Sequence, residues 1–323
     1  MQKIFSFISG YFSNEIKWPY FILVFLFGSL CVFFQYRYDI QKIYLSSYHN
    51  DYSFFWRCFT FYAIPFIGTI FMYSIFYKKW NFWKNRAFLS LCLITIIIYV
   101  LRCKISFYTD WVRVFALPLH QQYWMVIAHQ LAHGTILLVF PLLYWLIADK
   151  NQTGFYGWKF KGVSLKPYFL ILFFLIPLMA LACTSKGFLR YYPLVNNVVK
   201  TYAETNREIV TGALFELCYG FDFLMNEFFF RGFIVLAFAP FLGRAIILPM
   251  AMFYVFIHFG KPIGETISSF LGGLALGIIV YETRSIFGGV ILHIGVAWMM
   301  ELAAGIAKFS GFGFLFFFLS ATL

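Results

Sequence analysis

Nine apolar runs recur along the chain, at 19–36, 57–77, 87–101, 123–147, 167–183, 209–238, 243–259, 264–282 and 286–304. A helix needs about 20 apolar residues to cross the hydrocarbon of a bilayer, with roughly 17 tolerated. Lipid offers no partner to a backbone N–H or C=O, so a spanning segment has to satisfy its own, as a helix does. The pattern predicts an all-α, polytopic membrane helix bundle of about nine spans. It places the chain in a membrane as a multi-pass integral protein (the cell membrane, if bacterial).

Composition points the same way. The chain is 62% hydrophobic and only 12% charged, where a soluble domain carries about a quarter charged residues, and its mean hydropathy is +0.78. The net charge of +12 comes from basic residues placed singly or in pairs in short loops. That distribution fits anionic lipid headgroups rather than nucleic acid. It sets no orientation, because a nine-span topology divides the basic residues other than Arg231 evenly between the two sides. Cysteines 31, 58, 92, 103, 183 and 218 form no C-x-x-C and fall mostly inside apolar runs, as small core residues do. The stretch "MQKIFSFISGYFSNEIK" lacks an apolar signal core and reads as an interfacial amphipathic segment.

Two longer polar connections, 148–166 and 184–208, organise the rest. They define a Phe-rich transmembrane region (1–147), polar connections flanking one span (148–208), a core carrying most intramembrane polar residues (209–304) and a short apolar tail (305–323). There is no internal repeat. Run 209–238 is long for one crossing and contains Gly220, which predicts a bend or a tilted helix.

A charge at mid-bilayer costs roughly 2.5–3.5 kcal/mol on insertion scales, so each polar residue inside a span needs a reason. In "NEFFFRGF" (226–233), Glu227 and Arg231 lie about 40° apart around a helix, one turn apart. They are either a neutralised strut or part of a reaction site in which the arginine keeps the carboxylate ionised. Asn226 can border the same cavity, while Phe228 and Phe229 point toward lipid or packed neighbours. His258 ends an apolar run before "FGKP", with Glu265 on the next element. It either caps helix carbonyls or faces a site. His293 sits in "GGVILHIGVAW", where Gly288, Gly289 and Gly295 let another helix approach closely, and Glu301 lies two turns further on. It either hydrogen-bonds a neighbouring helix or serves a site. Together these residues are the ingredients for activating water. The carboxylate is the general base, and two imidazoles hold a metal or a developing oxyanion.

Other constellations are weaker. "HQLAH" (129–133) spaces His129 and His133 as zinc-protease helices do, but those need Glu after the first His and here stands Gln130. Asp222 is the lone aspartate well inside a span, which excludes an aspartyl dyad, and no G-x-S-G offers a serine nucleophile.

The order of the three late stretches resembles the CPBP family of intramembrane proteases, which comprises type II CAAX prenyl endopeptidases and bacteriocin-processing and self-immunity proteins. That family's pattern is E-E-x-x-x-R, then F-x-x-x-H, then H-x-x-x-N. Here the matching stretches are "NEFFFRG" (226–232), "YVFIH" (254–258) and "HIGVA" (293–297). The resemblance covers about 209–304 and implies a helical core with a water-accessible cavity. Asn226 stands where the first Glu is expected, Tyr254 replaces Phe, and Ala297 replaces Asn. With the family's usual base missing, Glu227 takes over, or Glu265 or Glu301 substitutes.

Three functions follow. The first is an intramembrane endopeptidase acting on a membrane-associated peptide or protein. In it Glu227 activates water, His258 and His293 bind a divalent metal such as zinc (with Glu227) or stabilise the oxyanion, and Arg231 and Asn226 support them. The second is a non-catalytic relative that binds a peptide, lipid or membrane partner. The third is a proton- or cation-coupled transporter using Glu216, Asp222 and Glu227, which the lack of a repeat disfavours.

Overall fold

The computed structural model describes residues 2–45, 52–150, 154–160, 163–195 and 208–309. Among these the secondary structure is all helical. In chain order the α-helices are α1 (Gln2–Gly10), α2 (Trp18–Tyr38), α3 (Ile40–Leu45), α4 (Tyr52–Tyr77), α5 (Arg86–Lys104), α6 (Phe107–Phe115) and α7 (Gln121–Tyr144). They continue with α8 (Lys166–Ala182), α9 (Lys186–Tyr191), α10 (Glu208–Glu227), α11 (Val235–Leu242), α12 (Ile247–Phe256), α13 (Ile263–Thr283) and α14 (Phe287–Phe309). A π-helix, Phe228–Ile234, joins α10 to α11. The apolar tail from residue 310 onward lies outside the described residues.

Among the described residues seven helical runs are long and apolar enough to cross a membrane, and α8 is a shorter apolar helix. This makes the chain a polytopic helical membrane protein, but the expected nine separate spans are not reproduced. The difference has a physical source. Runs 209–238 and 243–259 join into one helical run, Val210–Phe256, with Gly243 at φ 58° ending α11 and a short 3-10 turn leading into α12. The irregularity expected near Gly220 lies instead at the π-helix, and Gly220 sits within α10.

The chain divides into two compact units. The first comprises Met1–Lys104, Ile136–Val163 and Asn226–Gly289, and the second Ile105–Thr135, Ser164–Met225 and Val290–Leu323. In the first, α12 packs on α13 and α4. Lipid tails are as apolar as the side chains, so such helices associate through close packing rather than through exclusion of water. Small residues make the closeness possible. A Cβ on Gly273 would meet Ala251 Cα at 3.4 Å, and one on Gly277 would meet Met250 Cε at 2.6 Å. Aromatic rings fill the remaining volume around Phe253, whose ring lies 5.2–5.7 Å from those of Tyr62, Phe66, Tyr99 and Phe230. Edge-to-face pairs at such distances contribute about 0.5–1.5 kcal/mol each beyond their burial.

The segment 154–160 crosses the π-helix. The Ile286 N–H donates to the Gly157 carbonyl (3.0 Å), and the Ser285 hydroxyl donates to the Lys159 carbonyl (2.7 Å). The Tyr156 hydroxyl donates to Asp149 Oδ2 at 2.9 Å. Burial and the Asp149 carboxylate push the Tyr156 phenol up, so it stays protonated and keeps donating.

The second unit is held by different contacts. The Tyr123 hydroxyl donates to the Thr211 carbonyl (2.8 Å), above a cluster of Tyr123, Ile127, Phe215 and Cys218. A Cβ on Gly134 would meet the Phe221 ring at 2.7 Å. All six cysteines are free thiols.

Gly232 shows how tightly the crossing segment fits, since a Cβ there would lie 2.6 Å from the Tyr156 backbone oxygen. Gly232→Ala is expected to destabilise the protein by about 1–3 kcal/mol, as overpacking against rigid backbone does. Gly272→Ala, where nothing lies within 4 Å, is the control. Thermal unfolding in detergent micelles compares the two, and equal melting temperatures would refute the packing account.

Candidate active site

The first two motifs lie together in the first unit. Glu227 is the last residue of α10 and Arg231 lies inside the π-helix that follows. Their side chains are 0% and 1% exposed, with Arg231 Nη1 3.0 Å from Glu227 Oε1. Nη1 lies off the line of a hydrogen bond, so the attraction is mainly between charges. The π-helix widens one turn of backbone, a distortion found in single turns and often at functional sites. It persists here because Phe228, Phe229, Phe230 and Phe233 are all fully buried. The phenylalanines between the charges therefore face packed neighbours rather than lipid. Phe228 lies against Phe155 at 4.9 Å, and Phe230 against Tyr254 at 5.1 Å.

Tyr254 joins this motif to the next. The Arg231 guanidinium lies 3.8 Å from the centroid of the Tyr254 ring, a close cation–π contact. One turn on, His258 packs its ring at 4.5 Å from the same tyrosine. His258 Nδ1 lies 2.8 Å from the Tyr254 carbonyl oxygen. A carbonyl only accepts, so Nδ1 carries a proton, which in a neutral ring leaves the lone pair on Nε2. The Thr266 hydroxyl donates to the His258 carbonyl (2.7 Å), satisfying a backbone group freed where α12 stops. Tyr36 adds its hydroxyl 2.6 Å from Thr266 Oγ1. In the sequence Tyr254 stands out only as a replacement for Phe. Its central position follows from the one-turn spacing to His258 together with a guanidinium whose partner ring belongs to another element.

Gly289 is a second residue whose role comes from the structure. Its missing side chain leaves the space beside Glu227, since a Cβ there would sit 2.6 Å from Oε2. The glycines flanking His293 were expected to admit a helix backbone. At Gly289 the close neighbour is a catalytic-candidate carboxylate, and at Gly295 it is the Leu172 side chain. Asn226, 7% exposed, immediately precedes Glu227.

The third motif falls in the second unit. His293 on α14 is half-buried with its ring 4.4 Å from that of Phe223, and Ala297 is buried. Glu301 accepts from the Leu194 and Val195 backbone N–H groups at 2.9 and 3.1 Å. It therefore ties α14 to the connection at Leu194 and Val195. Glu265 is ion-paired with Lys261. Both carboxylates considered as substitutes for Glu227 are thus engaged elsewhere. Among the described residues no group of three or more His, Cys, Asp or Glu side chains is placed to hold a metal ion.

Removing one partner of a buried ion pair leaves an uncompensated charge, typically at a cost of about 3–5 kcal/mol. Arg231→Ala is expected to lower stability by that order. Glu227→Gln combined with Arg231→Gln, which removes both charges, should recover much of it. Unfolding in micelles measures both variants. An Arg231→Ala protein as stable as wild type would show that Glu227 is not held as an anion.

A family model described as "Type II CAAX prenyl endopeptidase Rce1-like" matches residues 210–299. That stretch contains Asn226–Arg231, Tyr254–His258 and His293–Ala297 and spans less than a third of the chain. No curated protein matches the chain, and neither does any solved structure. The chain therefore carries an Rce1-like domain at residues 210–299, consistent with the CPBP family of intramembrane proteases.

Proposed function

We propose that the protein is an intramembrane endopeptidase that hydrolyses a peptide bond of a membrane-associated peptide or protein, with Glu227 as general base. One observation carries this reading: a fully buried carboxylate held against a fully buried guanidinium, inside the stretch that matches the endopeptidase family model. An arginine contact favours the charged form of a neighbouring carboxylate, and only the charged form takes a proton.

In this reaction Glu227 removes a proton from water as the oxygen attacks the scissile carbonyl. The C–N bond then breaks, and the same proton passes to the leaving nitrogen, regenerating the carboxylate. His258, with Nδ1–H committed to the Tyr254 carbonyl, offers the Nε2 lone pair to the attacking water and orients it. Asn226 is an amide with no proton affinity near neutral pH, so it donates a hydrogen bond to the oxyanion. His293 is assigned to the same reaction on its motif alone. No step runs through a metal.

Turnover of a membrane-bound peptide library by purified protein in lipid vesicles tests the assignment. Asn226→Ala is expected to lower kcat by about 10–100-fold, on the scale of losing one oxyanion donor. His258→Ala should lose more, and a chelator should leave the rate unchanged. Activity abolished by the chelator would replace the proposed chemistry with metal catalysis. A wild type that cleaves nothing while Asn226→Glu gains activity would make the native protein a binding-only relative.

A further inference from the structure

Helices α6 and α7 carry a group of side chains that the proposed reaction leaves unused. His129 and His133 are one turn apart on α7, their ring centroids 3.7 Å apart and their planes 42° apart. Tyr108 on α6 brings its hydroxyl 2.7 Å from His129 Nδ1. Its ring lies 5.8 and 6.4 Å from the two imidazoles. His133 is 7% exposed, whereas His129 reaches the surface of the unit. The group belongs to the second unit and shares no residue with the three late motifs.

We propose that His129 and His133 form a binding site for a divalent transition-metal ion, with Tyr108 as a positioning residue. Two imidazoles in contact cannot both be protonated without like-charge repulsion. A shared cation removes that conflict, because imidazole binds metal in its neutral form. The spacing of four residues places both rings on one face of the helix, as two-histidine metal helices require. Tyr108 decides which nitrogen of His129 is offered. When its oxygen accepts from Nδ1–H, the lone pair lies on Nε2, directed away from α6.

The chemistry also limits what such a site does. Imidazole ligands suit zinc, nickel and copper, with affinity highest for Cu²⁺ in the divalent series. Two protein ligands leave positions for water, so the ion exchanges readily and is not locked into a closed structural site. The residue after His129 is Gln130, which cannot serve as a hydrolytic base. The site therefore binds metal without the peptidase chemistry of a helix with glutamate there.

The test is titration of the full-length chain, without a polyhistidine tag, in detergent micelles with Cu²⁺. Electron paramagnetic resonance reads nitrogen coupling, and competition with a chelator reads affinity. Wild type should show a Cu²⁺ centre with imidazole nitrogens. His129→Ala with His133→Ala should weaken binding at least tenfold, and Tyr108→Phe should weaken it roughly tenfold while retaining the nitrogen signal. His258→Ala with His293→Ala should leave the centre unchanged. Should the first double variant fail to fold, His129→Gln at the exposed position replaces it with the same expected loss. The proposal is overturned by absent nitrogen coupling in wild type. It is equally overturned by wild-type affinity in the His129 and His133 variants, or by loss of the signal in the His258 and His293 variant.

Discussion

The contact between Glu227 and Arg231 constrains everything around it. Two charges in a setting with almost no solvent are tolerable only if each stays close to the other and to groups that favour its charge. The neighbourhood reflects that demand. Arg231 lies over the face of Tyr254, whose ring is electron-rich. Glu227 approaches Gly289 so closely that a Cβ there would clash with Oε2. The phenylalanines of the π-helix around the pair are fully buried, and an apolar setting strengthens the attraction between the charges. His258 is then fixed to the same tyrosine through its backbone carbonyl. One aromatic residue thus supports the ion pair with its ring and aligns the histidine with its main chain.

How much of this was legible in the sequence follows from which rules are local. The nearness of Glu227 and Arg231 was readable because four residues make roughly one turn, and the pair survives even where the turn becomes a π-helix. The membrane class was readable because apolar length is a property of each segment alone. The number of spans was not, because whether two apolar runs join or separate depends on turn geometry at positions such as Gly243. Tyr254 and Gly289 were missed for a related reason. A ring beneath a guanidinium and a glycine that lets a carboxylate approach are relations between elements distant in sequence. The partners of Glu301 were not legible because the two N–H groups it accepts from, at Leu194 and Val195, lie more than a hundred residues earlier.

The departures from the family pattern acquire a physical meaning in this setting. Asn226 removes a second carboxylate from the vicinity of Glu227, and with it a like charge that would disfavour ionisation of both. One anion is then matched by one guanidinium, a balanced arrangement for a buried site. Tyr254 keeps the aromatic face that a phenylalanine supplies and adds a hydroxyl. Ala297 is buried and small, with no hydrogen-bonding side chain.

The central claim is that an ionised Glu227 removes the proton from the attacking water. Its most direct test is the rate of peptide hydrolysis by Glu227→Gln, which keeps the shape of the side chain but cannot accept a proton. The account predicts a folded variant that binds the peptide cleaved by wild type yet releases no new carboxyl terminus from it. A glutamine variant that hydrolyses that peptide at a rate near wild type would contradict it.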